Sequence, residues 1–233
     1  MKKTKTQRAK KWLLISAAIV LLMPALQVAS LWVVNPATTG PIILRWCAGK
    51  INAKRYVASQ YQWVKLDAVS RDFLTAVWQW EDGHFFEHWG FDWEEIQKAR
   101  AEARTTGKPL RGASSITQQC ARSLFLWQGR SWLRKGLEAY YSIWMEILLS
   151  KRRIFEVYVN VVEFGDGIYG IEAAAQHHYG VSAQALTREQ AAMLVTVLPQ
   201  PRVLDPKQPT EKMLQRQARI LERSANVRFP ISN

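Results

Sequence analysis

Between Trp12 and Val34 the chain carries no charged residue, and its polar side chains there are Ser16, Gln27 and Ser30. Roughly 20 apolar residues in a helix cross a bilayer. The run therefore predicts one membrane helix, and the rest of the chain must fold beside it. Ahead of it, Lys2, Lys3, Lys5, Arg8, Lys10 and Lys11 stand with no acid among them. Positive charge before a span keeps that end in the cytoplasm, which puts everything after Val34 on the far side of the membrane. Trp12 and Trp32 sit where interfacial aromatics belong, and Pro24 is tolerated in such a helix. A cleaved signal peptide is the competing reading. The apolar run is long for one and the small-residue site at Val28-Ala29-Ser30 is weak, which favours a retained anchor. The expected division is a cytoplasmic basic segment at 1–11, a transmembrane helix at 12–34, a linker and membrane-proximal segment at 35–65, and a main folded domain at 66–233.

The linker reading rests on Pro36, Gly40, Pro41 and Gly49, with one extended segment expected near Tyr56 to Val64. Its basic residues Arg45, Lys50, Lys54, Arg55 and Lys65 could face lipid head groups or simply water. Beyond Leu66 the apolar spacing is helical almost throughout. Helices are expected over 67–80, 93–104 (Asp92 and Glu95 forming a capping box), within 113–128, from Ser131 to about 149, and over 151–161, 171–179, 187–198 and 210–224. A loop at 105–112 and a glycine-rich turn at 164–170 complete a mainly α fold. Arginine and lysine number 32 against 19 acids, a net charge of +13. Such a surface attracts phosphates, whether of nucleic acid, lipid or a diphosphate. Cys47 and Cys120 form neither a disulfide framework nor a metal set.

The chemistry gathers in Glu81-Asp82-Gly83-His84-Phe85-Phe86-Glu87-His88-Trp89-Gly90-Phe91-Asp92. A carboxylate ending an apolar helix among Trp78, Trp80, Phe85 and Phe86 is partly desolvated, which raises its pKa and makes it a better base near neutrality. The plain alternative is that Glu81 and Asp82 end a helix in solvent. Further on, Ser114, Thr117, Gln118 and Gln119 offer neutral hydrogen bonds for sugar or phosphate oxygens. Arg122, Arg130, Arg134 and Lys135 follow, and arginine suits bidentate phosphate contacts. Arg134 and Glu138 could equally be a surface pair one helical turn apart. Lys151, Glu156 and Asn160 read as structural, His88 as a hydrogen-bonded structural histidine, and His177 with His178 as a helix pair that is no metal set.

These segments resemble the monofunctional peptidoglycan glycosyltransferases of glycosyltransferase family 51. The first motif of that family, E-D-x-x-F-x-x-H-x-G-F-D, fits Glu81 to Asp92 at every fixed place. The second, G-x-S-T-I-T-Q-Q, fits Gly112 to Gln119 with Ser115 in place of the threonine. The third, R-K-x-x-E, fits Arg134, Lys135 and Glu138, and the fourth, K-x-x-I-x-E-x-Y-x-N, fits Lys151, Ile154, Glu156, Tyr158 and Asn160. The order is that of the family. Where relatives often carry lysine and asparagine after the double glutamine, this chain has Arg122 and Ser123.

The resemblance implies a lysozyme-like helical catalytic domain that polymerises lipid II into β-1,4-linked glycan and releases undecaprenyl diphosphate. Glu81 corresponds to the catalytic base and Glu138 to the second functional glutamate. Ser114, Thr117, Gln118, Gln119, Arg122, Arg130, Arg134 and Lys135 are the expected substrate contacts. The partners implied are lipid II, the growing lipid-linked chain, the membrane and proteins of division or elongation; nucleic acid is not among them. No S-x-x-K with a later K-T-G is present, so glycan would be polymerised without cross-linking. No metal ligand cluster of fixed spacing appears, and a divalent cation (Mg or Mn) at the diphosphate stays open. Two rival readings remain: a lytic cell-wall glycosidase using the Glu81 and Glu138 pair, and a non-catalytic membrane scaffold.

Overall fold

The computed structural model describes residues 5–51, 58–107, 112–129 and 131–230. Arg130, Lys54, Arg55 and Tyr56 lie outside the described residues. The first helix, α1, spans Lys5–Ser30 and holds Pro24. Its stretch Lys10–Ser30 is apolar and 21 residues long. At about 1.5 Å per residue that is long enough to cross a hydrocarbon core of about 30 Å. Leu13, Leu14, Ile19, Leu22 and Leu26 are exposed, whereas Val28 and Leu31 join the protein core. The helix stops at Ser30, short of Val34, and tightens through Leu31 N–H to Val28 O and Val34 N–H to Ser30 O, both 3.0 Å. Pro36 disfavours helical backbone at the residue before it, so the apolar run outlasts its helix.

The expected linker is corrected by a helix, α2, over Gly40–Ile51. Pro41 sits in its first turn, where the missing N–H costs nothing. A Cβ on Gly40 would stand 3.1 Å from the Phe125 carbonyl carbon, so the start of α2 is pressed against the end of a later helix. Arg45 reaches Asp166 at 2.7 Å. The segment after α1 is thus docked on the domain, not strung out from it. Of the expected extended segment, the two residues Gln60–Tyr61 form β1.

The rest is two helical groups sharing one core. The first comprises α3 (Arg71–Glu81), α9 (Arg188–Val197) and α10 (Glu211–Ser224); the second comprises α5 (Ile116–Phe125), α6 (Trp132–Leu148) and α7 (Lys151–Val161). Phe73, Phe85, Phe155 and Tyr158, all fully buried, fill the space between them. α4 (Trp93–Thr106) and α8 (Ile171–Tyr179) complete the set, and α1 runs along α6. Side-chain caps explain where these helices begin. Asp92 accepts from Glu95 N–H, Ser131 from Arg134 N–H, Ser150 from Arg153 N–H and Thr210 from Met213 N–H. Thr187 with Gln190, and Ser115 with Gln118, form full capping boxes.

The expected turn at 164–170 contains a hairpin instead. β2 (Glu163–Gly165) runs antiparallel to β3 (Ile168–Tyr169), and β1 adds to β3 in parallel, pairing Gln60 with Ile168 and Tyr61 with Tyr169. Gly170, at φ 81°, turns the chain from β3 into α8, and any Cβ there would overlap the Asn160 carbonyl. Only glycine fits that corner.

Candidate active site

Glu81 and Asp82, adjacent in sequence, take separate tasks. Asp82 is 6% exposed. Its carboxylate accepts from Ile116 N–H at 2.9 Å and meets His88 Nε2 at 2.9 Å. An anion at the start of α5 is favoured by the free N–H groups there. Asp82 therefore braces the first motif against the second, and His88 is the hydrogen-bonded structural histidine expected. Asp92 caps α4 and also meets His84 at 3.3 Å. Ligand atoms of Asp82, His88 and Asp92 lie within 4.8 Å of one another, but hydrogen bonds to Ile116 and Glu95 already engage both carboxylates.

Glu81 is half-buried at the last position of α3. Burial pushes its carboxyl above the ordinary range, and the Asp82 charge adds to the rise; the Gln119 hydrogen bond and the positive fields of Arg216 and Arg122 oppose it. Gln119 Nε2 donates to Glu81 Oε2 at 2.9 Å and to the Ser114 carbonyl at 3.2 Å. Because the Ser114 carbonyl can only accept, it fixes which end of the amide faces Glu81. The other end, Oε1, takes the Tyr158 hydroxyl at 3.2 Å. Burial pushes that phenol's pKa well above the usual value, so it keeps the proton that it donates to the amide.

Glu138, on α6, has different company. It is 1% exposed, and Arg134 is 7% exposed, so the surface-pair reading of these two residues is overturned. Arg134 Nη1 donates to one oxygen and Lys135 Nζ to the other at 3.0 Å. Lys135 Nζ also donates to Ser114 Oγ at 2.9 Å. Hydrogen bonds thus run from Glu81 through Gln119, Ser114 and Lys135 to Glu138, joining the two glutamates across the two helical groups. Arg134 Nε is buried and lacks an acceptor among the described residues. Arg122, partly exposed on α5, has no hydrogen bond or ion pair among the described residues. Its guanidinium lies within electrostatic reach of Glu81.

Two expected substrate contacts are corrected. Thr117 is fully buried and donates to Glu146 at 2.5 Å; Glu146 also pairs with Lys151 at 2.9 Å. Gln118 is 4% exposed and completes the Ser115 capping box. Successive helical residues face different ways, so Thr117 turns to Glu146, Gln118 back to the Ser115 cap, and Gln119 to Glu81. Lys151, Glu156 and Asn160 are structural as expected. Asn160 bonds both backbone groups of Val64 at 2.8 Å, and Glu156 pairs with Arg153 at 2.5 Å. Two contributors escaped the sequence reading. Tyr158 stood in the fourth motif, which was the available signal. Arg216 stands on α10, far along the chain, bonded to the Thr196 carbonyl at 3.3 Å and lying over the Trp80 ring at 5.9 Å; no local pattern points to it.

The family model described as Transglycosylase matches residues 49–225. A protein named biosynthetic peptidoglycan transglycosylase from Xanthomonas campestris pv. campestris is 40% identical over 223 residues, covering 93% of this chain and 90% of its own length. Proteins of the same name from Escherichia coli and Bdellovibrio bacteriovorus are 49% identical over 167 residues (72% of this chain, 69% of theirs) and 38% identical over 223 (96% and 88%).

This chain belongs to the transglycosylase family.

The resemblance to peptidoglycan glycosyltransferases drawn from the four motifs is thereby shown, and the mainly α, lysozyme-like fold class with it. This transglycosylase is an enzyme of glycosyl transfer, which sets aside the scaffold reading. Its matched region begins inside α2, so the family's extent includes part of what the sequence reading assigned to a linker.

Proposed function

We propose that this transglycosylase polymerises lipid II on the outer face of the inner membrane, with α1 as its single anchor and the N-terminus cytoplasmic. The observation that carries the reading is the contrast between its glutamates. Glu81 is a desolvated carboxylate with one oriented amide donor, whereas Glu138 is pinned between two cations.

In the proposed reaction Glu81 takes the proton from the 4-hydroxyl of the incoming lipid II sugar. That oxygen attacks the anomeric carbon of the growing chain, and the bond from that carbon to the diphosphate oxygen breaks on the opposite face. A β-1,4 bond forms with inversion. The diphosphate departs as a stable anion and needs positive charge rather than a proton donor. Arg122, Lys135 and Arg134 supply that charge, and Glu138 holds the last two in place. Arg130 is a further candidate by its position in the sequence. Around the diphosphate the donor set is cationic, and both Glu138 oxygens are already taken, so it suits an anion directly; no step runs through Mg or Mn.

The test is incubation of the detergent-solubilised protein with labelled lipid II, product being sized with and without a muramidase. The expected result is muramidase-sensitive polymer. Cleavage of preformed strands without polymer would move the enzyme to the lytic reading.

A further inference from the structure

The anchor is held by the domain at its outer end, where one side chain makes three of the hydrogen bonds. Arg153, on α7, donates from Nε to the Leu31 carbonyl at 2.8 Å. Its Nη2 donates to the Val34 carbonyl at 3.1 Å and to Asn35 Oδ1 at 2.8 Å. Its Nη1 pairs with Glu156 at 2.5 Å, and the guanidinium lies over the Trp63 ring at 5.1 Å. These acceptors lie just past Ser30, the last residue of α1, where the chain leaves the helix and its carbonyls need partners outside the ladder. A planar five-donor fork suits several such acceptors at once, where an ammonium would act as a point charge. Glu156 in turn accepts from Leu66 N–H at 3.4 Å, and Leu66 stands just before the helix that ends in Glu81. Lower down, Tyr140 donates to the Leu21 carbonyl and Tyr141 to Gln27 Oε1 at 2.5 Å. Both tyrosines are on α6, the helix of Arg134, Lys135 and Glu138. The anchor is therefore attached to both halves of the site.

We propose that Arg153 is a positioning residue that locks the membrane helix to the catalytic domain, fixing the height and tilt of the cleft over the bilayer. The proposal rests on the lipid-linked substrate proposed above. A donor and an acceptor that both hang from the bilayer present their reacting atoms at a set height, and small misplacements of reacting groups cost large factors in rate. A swivelling anchor would let the cleft sample heights at which no substrate waits.

The test uses the full chain with Cys47→Ser and spin labels at Val33→Cys and Gln184→Cys, in bilayer nanodiscs. Cys120 is fully buried and stays unlabelled. The parent should give one narrow distance distribution and Arg153→Met a broad one, with Arg153→Lys between them. In nanodiscs loaded with lipid II, Arg153→Met should polymerise about 10-fold more slowly than wild type, while in detergent, where no bilayer sets the height, the loss should stay below about 3-fold. A distribution for Arg153→Met as narrow as the parent's would overturn the proposal. So would an equal loss in both media with a lowered Tm, since that is what a merely structural arginine gives. Absence of polymer from wild type in either medium would instead count against the lipid II reading, which the distance measurement does not depend on.

Discussion

The end of α3 holds a half-buried glutamate and the middle of α6 a fully buried one, joined by one chain of hydrogen bonds, and their surroundings could hardly differ more. Glu81 receives one neutral amide and the fields of two arginines that do not touch it, and burial raises its pKa. Glu138 is gripped by Arg134 and Lys135 and keeps no free oxygen. A carboxylate of the first kind can accept a proton in a reaction. One of the second kind has both oxygens engaged in arranging cations. Identical side chains thus acquire different chemical capacities through their neighbours alone.

Glu81→Gln should sharpen that contrast most. Turnover is expected to fall about 10²–10⁴-fold, the usual worth of a positioned base. The fold should not suffer. Because the folded pKa of Glu81 is raised, its protonated form is the one the structure favours; that contribution is full below the ordinary carboxylate range and is lost as pH rises through the folded value. Glutamine mimics the neutral form, so the variant should melt above wild type at neutral pH and the difference should close on acidification. In wild type the acid limb of kcat/KM should lie above the ordinary glutamate value for the same reason.

Arg122→Gln comes next. With no hydrogen bond or ion pair to lose among the described residues, it should leave Tm unchanged while lowering kcat about 10²-fold, the usual cost of one charge-stabilising donor. Removing its field should also move the acid limb to higher pH. Glu138→Gln should behave in the opposite sense. Urea denaturation should show a loss of about 3 kcal/mol, at the low end for a broken buried pair because Lys135 can turn to solvent. The kinetic loss should appear mainly in KM, as the cations lose their positions. Tyr158→Phe removes one bond to the amide that orients Glu81, and should cost about 1 kcal/mol and a few-fold in kcat.

Much of this was legible beforehand. The helices α7 and α8 run where apolar periodicity puts them, and α3, α6, α9 and α10 do so within a few residues; side-chain caps add to that signal in α6, α7, α9 and α10. α2 was not legible. Its Gly40-Pro41 start reads as a break, and only the close packing on Phe125 shows that glycine is there for approach and proline for a first turn. The hairpin hid behind Gly165, Gly167 and Gly170. Within the site, motif spacing brought Glu81, Gln119, Arg134, Lys135 and Glu138 together. It could not say that Thr117 and Gln118 turn inward, since polarity does not reveal which face of a helix is buried. Nor could it find Arg216, whose approach to Glu81 is set by how α10 packs on α3 and α9.

The most direct test of the central claim follows polymer formation from labelled lipid II by Glu81→Gln and Glu138→Gln side by side, each with its melting curve between pH 4 and 8, on the order of the ordinary carboxylate range to well above it. The expected result is a well-folded, inactive Glu81→Gln whose gain in Tm shrinks toward pH 4, beside a destabilised Glu138→Gln that still makes polymer at high lipid II. A Glu81→Gln that polymerises near the wild-type rate, beside a stable but inactive Glu138→Gln, would contradict the assignment of the base.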